Sequence, residues 1–376
     1  MAPRDPAQLR ATLADGFDCE VDPLETYEST FREVTADPFE LFVTDVLRGG
    51  DIADRTVTQY RIAFQQWRTY MADVGRHPAC PNAAHVRGFA RWLQVEQGND
   101  AVATIRQKLQ KLDRAFRFWQ RDSALPHTER YNPVALARDQ IDWETFDDTA
   151  DKSPPPISRA ELQARIGSIT DLRTQVQLAT QLKLGLRVGE LCNVRLQDVN
   201  LVDEELTEYY PLGTHERLAG RPNAIYIPSK HERDGNKSHV PRILPLDAEL
   251  QSLLRRYLRV RPTWIDDWLF VLSGGGPVGT KTVNRAWKET FHPAFAETAE
   301  YRAITSHFGR HYFTTYWRTE QDLPRELVQY MRGDVVGDPA ADDSAMHHYL
   351  HTYYEDIEEP YRREIYSLDV SVPQLS

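Results

Sequence analysis

Residues 306–317 read SHFGRHYFTTYW, placing His307, Arg310 and His311 within about one helical turn ahead of a run of aromatic and β-branched residues. At helical spacing, His307 shares a face with Arg310 and with His311. The stretch is therefore a metal-binding helix, a packed core helix that carries histidines, or part of a site for an anion. The metal reading is the weakest. Two histidines four apart resemble a zinc-protease helix, but Phe308 stands where that pattern needs its general-base glutamate. Arg310 would also repel a dication. A second set, His347, His348 and His351, is helically spaced too, yet no cysteine or carboxylate group completes it. No metal and no other cofactor are expected.

The anion reading gains from what lies elsewhere in the chain. In KLGLRVGELCNVRLQDV (183–199), Arg187 follows Leu-Gly-Leu at what reads as a turn between two helices. Glu190 comes three residues later, placed to orient an arginine. Strand patterns follow at NAIYIPSK (223–230) and SHVPRILPL (238–246); HERDGNK (231–237) separates them, and its Asp-Gly marks a hairpin turn. Lys230 ends the first of these strands. SGGGP (273–277) lacks the Lys-Ser/Thr of a phosphate loop and reads as a turn. Two arginines, a histidine and a lysine without a Ser/His/Asp set suit a phosphodiester, whose charge they would stabilise in the transition state. Arginine fits because its planar fork donates two hydrogen bonds to phosphate oxygens.

The first third of the chain is helical by periodicity from Asp37 to about Arg121, with Asp54 and Asn82 as candidate N-caps. Ile105, Leu109, Leu112, Phe116 and Trp119 recur at 4-3-4-3 spacing and form one apolar stripe. Arg106, Lys108, Lys111 and Arg114 lie off that stripe and are candidates for contacting DNA phosphates, with only Asp113 opposing them. A solvated face is the plain alternative. The expected organisation is an acidic tail or short peripheral helix over 1–36, a helical domain over 37–125 and a linker over 126–157 that contains three consecutive prolines. A second, mixed domain covers 158–376, opened by a capping box of Ser158 and Glu161.

With 376 residues, the chain is long enough for two cores. Three widely spaced cysteines fit a reducing compartment, and neither a signal core nor a membrane-length apolar run is present, so a cytoplasmic location is expected. The net charge of −11 argues at first against nucleic acid. Only eight of the 45 basic residues are lysine, however. That acidic, arginine-rich balance resembles proteins of salt-loving archaea, although a high-GC genome gives the same bias. Local charge must therefore decide.

Four stretches carry a resemblance. GLRVGEL (185–191) and HFGRH (307–311) resemble the two arginine boxes of the tyrosine recombinases, the Xer-like superfamily that includes the phage-type integrases. YMRGD (330–334) falls where that family has Leu-Gly-His, and HHYLH (347–351) resembles its nucleophile segment. The resemblance implies a mainly α, two-domain fold: a helical core-binding domain and a mixed α+β catalytic domain with a small sheet. It implies site-specific recombination of double-stranded DNA through a 3′-phosphotyrosyl link, without metal or ATP. Arg187 and Arg310 would clamp the scissile phosphate, and Glu190 would buttress Arg187. Lys230, or failing it Lys237, would protonate the departing 5′-oxygen, and His307 would exchange protons with the nucleophile or hold the phosphate. Tyr349 would attack, with Tyr353 and Tyr354 as the next candidates. Asp334 departs from the family pattern. An ionised aspartate cannot donate to a phosphate, so it is expected to turn away and orient His307 or Arg310, unless a neighbour substitutes. Partners would be a tetramer of the same chain on two duplexes, with accessory DNA-bending proteins possible and no membrane. The segment 360–376 would dock on a neighbouring subunit or on its own. The rival readings are a site-specific DNA binder that has lost catalysis and a type IB topoisomerase-like strand transferase.

Overall fold

The computed structural model describes residues 6–50, 52–98, 101–146, 152–262, 267–334 and 343–370. The chain divides into two compact units, Met1–Asp151 and Lys152–Ser376.

The first unit holds helices α1 (Pro6–Gly16), α2 (Glu28–Glu33), α3 (Pro38–Phe42), α4 (Asp54–Val74), α5 (Ala83–Val95), α6 (Val102–Trp119) and α7 (Pro133–Gln140). Helix α4 stops where Gly75 turns left-handed at φ 77°. Helix α5 starts at Asn82, whose side chain accepts from the Ala84 and His85 amides while the His85 ring accepts from the Asn82 amide. Asp54, by contrast, is not a cap. Ala53 holds that place and Asp54 opens the helix as its first-turn acid. The five stripe residues of α6 are all fully buried. They join an aromatic core in which the Trp119 indole donates to the Pro38 carbonyl at 3.0 Å and the Trp67 indole to that of Pro78 at 2.9 Å.

Two expected boundaries shift. The acidic segment 1–36 is not simply a tail: Leu24 and Phe31 enter this core, and Asp22, Glu25 and Glu28 gather round Arg76. The stretch 126–146 is likewise no linker. Asn132 caps α7, Pro133 occupies its first turn, and Val134, Ala137, Ile141 and Phe146 pack into the same core.

The second unit contains α8 (Arg159–Gly167), α9 (Leu172–Leu184), α10 (Val188–Cys192), α11 (Glu204–Tyr209), α12 (Ala248–Val260), α13 (Thr280–Phe291), α14 (Ser306–Thr315), α15 (Arg325–Arg332) and α16 (Asp343–Glu364). Its sheet has three antiparallel strands in sequence order, β1 (Val199–Asn200), β2 (Ala224–Ile227) and β3 (Arg242–Pro245). The β2–β3 ladder runs from Ala224 opposite Pro245 to Ile227 opposite Arg242. It is shorter than the sequence suggests because Pro228 and Pro241 have no amide to donate. The connection 228–241 is a broad loop, tied where the Asn236 side chain donates to the Pro228 carbonyl and the Lys230 amide to that of Ser238. At the start of α8, Ser158 accepts from the Glu161 amide, while the Glu161 carboxylate pairs with Arg165.

Helix α9 is the axis of this unit, with every residue from Gln175 to Leu184 buried. Several of its buried polar side chains are bonded: Gln175 donates to the Ile166 carbonyl at 3.1 Å and Thr180 to that of Val176 at 2.7 Å. Lys183 lies 2.7 Å from Asp247 and 2.7 Å from Glu249. Glu249 also accepts from the Leu368 and Val370 amides, and the Tyr366 hydroxyl donates to the Leu182 carbonyl. The segment after α16 thus docks on its own chain as far as Val370.

Candidate active site

Arg187 emerges at the N-terminus of α10, where Gly185 closes α9 in the left-handed region at φ 62°. Its own amide donates to Glu190 at 2.8 Å, and its guanidinium donates to Glu190 at 3.2 Å and to the Ser238 hydroxyl at 2.8 Å. Glu190 is 1% exposed and is held chiefly by Arg242, itself 0% exposed on β3, at 2.8 and 3.2 Å. Ser238 also donates to Glu190. Burial alone would raise the Glu190 carboxyl, but Arg242, Ser238 and Arg187 outweigh it and hold the group at about 2. Arg242 further donates to the Met331 carbonyl at 2.8 Å, fastening the end of α15 to the same cluster.

Arg310 comes from the inward face of α14 and is 2% exposed. It donates to the Gly185 carbonyl at 3.0 Å and to the Arg332 carbonyl at 2.7 Å. Burial, then repulsion from Arg187 and Arg242, lowers its proton affinity to about 9, which leaves it charged at neutral pH. The terminal nitrogens of Arg187 and Arg310 meet on one atom, Oδ1 of Asp334, at 2.9 and 2.8 Å. Of the two residues it was expected to orient, Asp334 thus bonds Arg310. It sits between the two arginines, with its second oxygen 3.0 Å from Nε of Arg332.

His307 lies on the outer side of α14, and it shares a shallow pocket with Arg310, His311, Thr314, Thr315 and Arg332. Loss of water around its ring, followed by Arg310, Arg302, Arg187 and Arg332, lowers its proton affinity, so it is neutral at pH 7. His311 hydrogen-bonds Thr315 at 3.3 Å. This many cations disfavour a metal at these histidines. Among the described residues no three His, Cys, Asp or Glu side chains gather as a metal site. Lys230 sits partly buried on the β2–β3 loop, and Lys237 is exposed on it.

The residues 160–353, just over half of the chain, match the model of the phage integrase family. The chain belongs to that family. It is a site-specific DNA recombinase of the tyrosine class, and neither a binder without catalysis nor a topoisomerase-like strand transferase is favoured. No curated protein matches the sequence. Among solved structures, lambda integrase (residues 75–356) bound to DNA is similar at 14% identity and a TM-score of 0.57, over 85% of this chain and 98% of that one. A lambda integrase tetramer bound to a Holliday junction gives 13% and 0.57 over 90% of each chain. The integrase of transposon Tn1549, in complex with a circular intermediate DNA, gives 19% and 0.56 over 85% and 95%. At these identities the likeness concerns the fold, the mainly α architecture with a small sheet.

In this integrase the HHYLH stretch expected to carry the nucleophile lies on α16, and the Tyr349 side chain falls outside the described residues. Other tyrosines nearby are engaged in packing. Tyr353 stacks on Tyr330 with ring centres 5.2 Å apart. Tyr354 is buried and bonded to Glu358, and burial, then Glu358, pushes its phenol up to about 12. Tyr361 and Tyr366 are buried, with hydroxyls donating to backbone carbonyls of α9.

The basic residues of α6 do not form one face. Lys111 and Arg114 flank the Tyr60 ring, and Lys108 lies near enough to Lys111 to feel its charge. Arg106 instead stacks on Trp143 at 4.7 Å. Asp113 is buried and takes Arg117 and Arg138, so it does not offset the Lys111 side. Periodicity also missed Arg242, Ser238 and Arg332. The available signal was Arg242 itself, a charge inside an apolar strand, where burial demands a partner.

Proposed function

We propose that this integrase cuts and rejoins duplex DNA through a 3′-phosphotyrosyl intermediate with Tyr349 as nucleophile. The Tyr349 oxygen bonds to phosphorus, the bond to the 5′-oxygen breaks, and the tyrosine proton passes to His307. Lys230 gives its proton to the leaving oxygen, yielding a 5′-hydroxyl. The hydroxyl of a partner duplex then reverses the step. The covalent link conserves the phosphodiester energy, so neither ATP nor a metal enters the balance.

The observation that carries this reading is the convergence of Arg187 and Arg310 on one anionic oxygen. Two guanidiniums aimed at one point match the developing charge of a phosphorane and favour a phenolate beside it. Glu190 and Arg242 keep Arg187 in place. For the general acid, Lys230 is favoured over Lys237 because its amide is bonded to Ser238, which touches Arg187. Tyr349 is favoured because Tyr354, Tyr361 and Tyr366 are spent on buried hydrogen bonds.

Strand exchange requires four protomers on two duplexes, and the tetrameric lambda integrase supports that count. Lys108, Lys111 and Arg114 contact DNA phosphates in this reading, and Arg106 serves chiefly to hold Trp143. The arginine-rich, acidic composition supports a salt-rich cytoplasm as the setting.

The test is a denaturing-gel adduct assay on supercoiled DNA carrying the flanks of the protein's own gene, in EDTA. Wild type is expected to form a covalent complex and Tyr349→Phe none. An adduct from both would move the nucleophile to another tyrosine. An EDTA-sensitive cut without an adduct would remove the mechanism.

A further inference from the structure

We infer that Asp334 is the resident anion of the two-arginine site, an intramolecular competitor that an incoming phosphodiester or tetrahedral oxyanion displaces. The inference rests on the proposed function only in taking Arg187 and Arg310 as the phosphate-binding pair. Each guanidinium gives one nitrogen to the Arg332 carbonyl, at 3.4 Å from Arg187 and 2.7 Å from Arg310. Each gives its other terminal nitrogen to Oδ1 of Asp334, at 2.9 and 2.8 Å. One carboxylate oxygen thus receives from two cations, the arrangement a non-bridging phosphate oxygen would have. A phosphate brought to the same donors would stand within a few ångströms of the carboxylate, and like charges at that range exclude one another.

The placement is built rather than incidental. The Gly333 amide donates to Tyr330 at 2.8 Å and the Asp334 amide to Gln329 at 3.0 Å, the paired bonds of a Schellman cap on α15. Gly333 turns left-handed at φ 65°, which sets the next side chain toward the arginines. At 27% exposure, the Asp334 side chain is not sealed in and can leave. While it stays, small anions meet a site that is already occupied, whereas DNA held by many other phosphate contacts can displace it. Asp334 is accordingly a determinant of which anions the site accepts.

Sulfate serves as probe, titrated calorimetrically against the full chain at constant ionic strength, without DNA. Wild type is expected to show no saturable sub-millimolar binding. Asp334→Asn, and Asp334→His as an independent second variant, are expected to bind sulfate at least about tenfold more tightly, the worth of one charge-assisted hydrogen bond. Adding Arg187→Ala to Asp334→Asn should abolish the gain. Sub-millimolar binding by wild type overturns the inference whatever the variants do. So does equal binding by wild type and either folded variant, or a gain that survives Arg187→Ala. Because no arm uses Tyr349 or DNA, failure here is distinct from failure of the adduct assay.

Discussion

Arg242→Met is the most demanding perturbation of the site's support. The methionine keeps much of the side-chain volume but leaves Glu190, 1% exposed, with only Ser238 and Arg187 as partners. Removing one member of a buried ion pair costs about 3–5 kcal/mol, because the other charge stays desolvated. An independent route gives a similar figure. Glu190 ionises near 2 in the folded chain against an ordinary 4.5. A carboxyl depressed that far contributes about 3 kcal/mol above the unfolded value. That contribution is complete above pH 4.5 and is lost as pH falls toward 2. In the variant, burial outweighs the remaining partners and the folded carboxyl rises, so the folded form takes up a proton and is relieved as pH falls. The deficit of Arg242→Met relative to wild type should therefore be largest near pH 7 and shrink toward pH 3. Urea unfolding followed by the fluorescence of Trp287 and Trp317, both buried in the second unit, reads it at each pH. A deficit below about 1 kcal/mol at pH 7 would refute the buried-pair argument. A deficit independent of pH would refute the assignment of the lost stability to Glu190.

Two further outcomes follow from the same geometry. Gly333→Ala places a methyl group on a left-handed residue, against the Arg242 guanidinium and 2.6 Å from the Ser238 hydroxyl. The backbone term alone is about 1 kcal/mol, so a total loss of at least about 2 kcal/mol is expected by urea unfolding, together with weaker adduct formation. In the first unit, the double change Lys111→Ala/Arg114→Ala should lower the slope of log K against log salt by about 2 for duplex DNA. Arg106→Ala should leave that slope nearly unchanged, since its guanidinium is stacked on Trp143; fluorescence anisotropy at several KCl concentrations measures both.

Much of this was legible in residue spacing. The α6 stripe is buried as its 4-3-4-3 pattern requires, and the turn before Arg187 follows from Leu-Gly-Leu, where Gly185 takes the left-handed conformation. What escaped was fixed by partners distant in sequence. Nothing local to Arg242 says that it meets Glu190 52 residues away and the Met331 carbonyl 89 residues away. Asp334 was read from its own chemistry, as an acceptor that a phosphate would repel. Of the two partners expected for it, it bonds Arg310; that it takes Arg187 as well is fixed by the fold and not by its own chemistry. The segment 126–146 was misjudged for a different reason. It was joined to the spacer marked by the three prolines at 154–156, although Asn132-Pro133 is a helix start that packs against α6.

The −11 net charge and the DNA chemistry are reconciled by the same local accounting. Around the site, Arg187, Arg242, Arg310, Arg332 and Arg302 stand with two carboxylates among the described residues, Glu190 and Asp334. Glu190 is committed to Arg242 and Arg187 inside the protein, which leaves Asp334, among the described residues, as the negative group whose departure changes the field met by a ligand. With it in place Arg187 and Arg310 are bonded; once it is replaced by a phosphate of similar charge, the same hydrogen bonds are remade to the ligand. An anion site that is never empty avoids both the repulsion between Arg187 and Arg310 in the resting protein and the cost of ordering them when DNA arrives. The acidic remainder of the surface then acts on long-range attraction, which salt screens over about 8–10 Å at physiological strength, and not on the short hydrogen bonds that Arg187 and Arg310 donate.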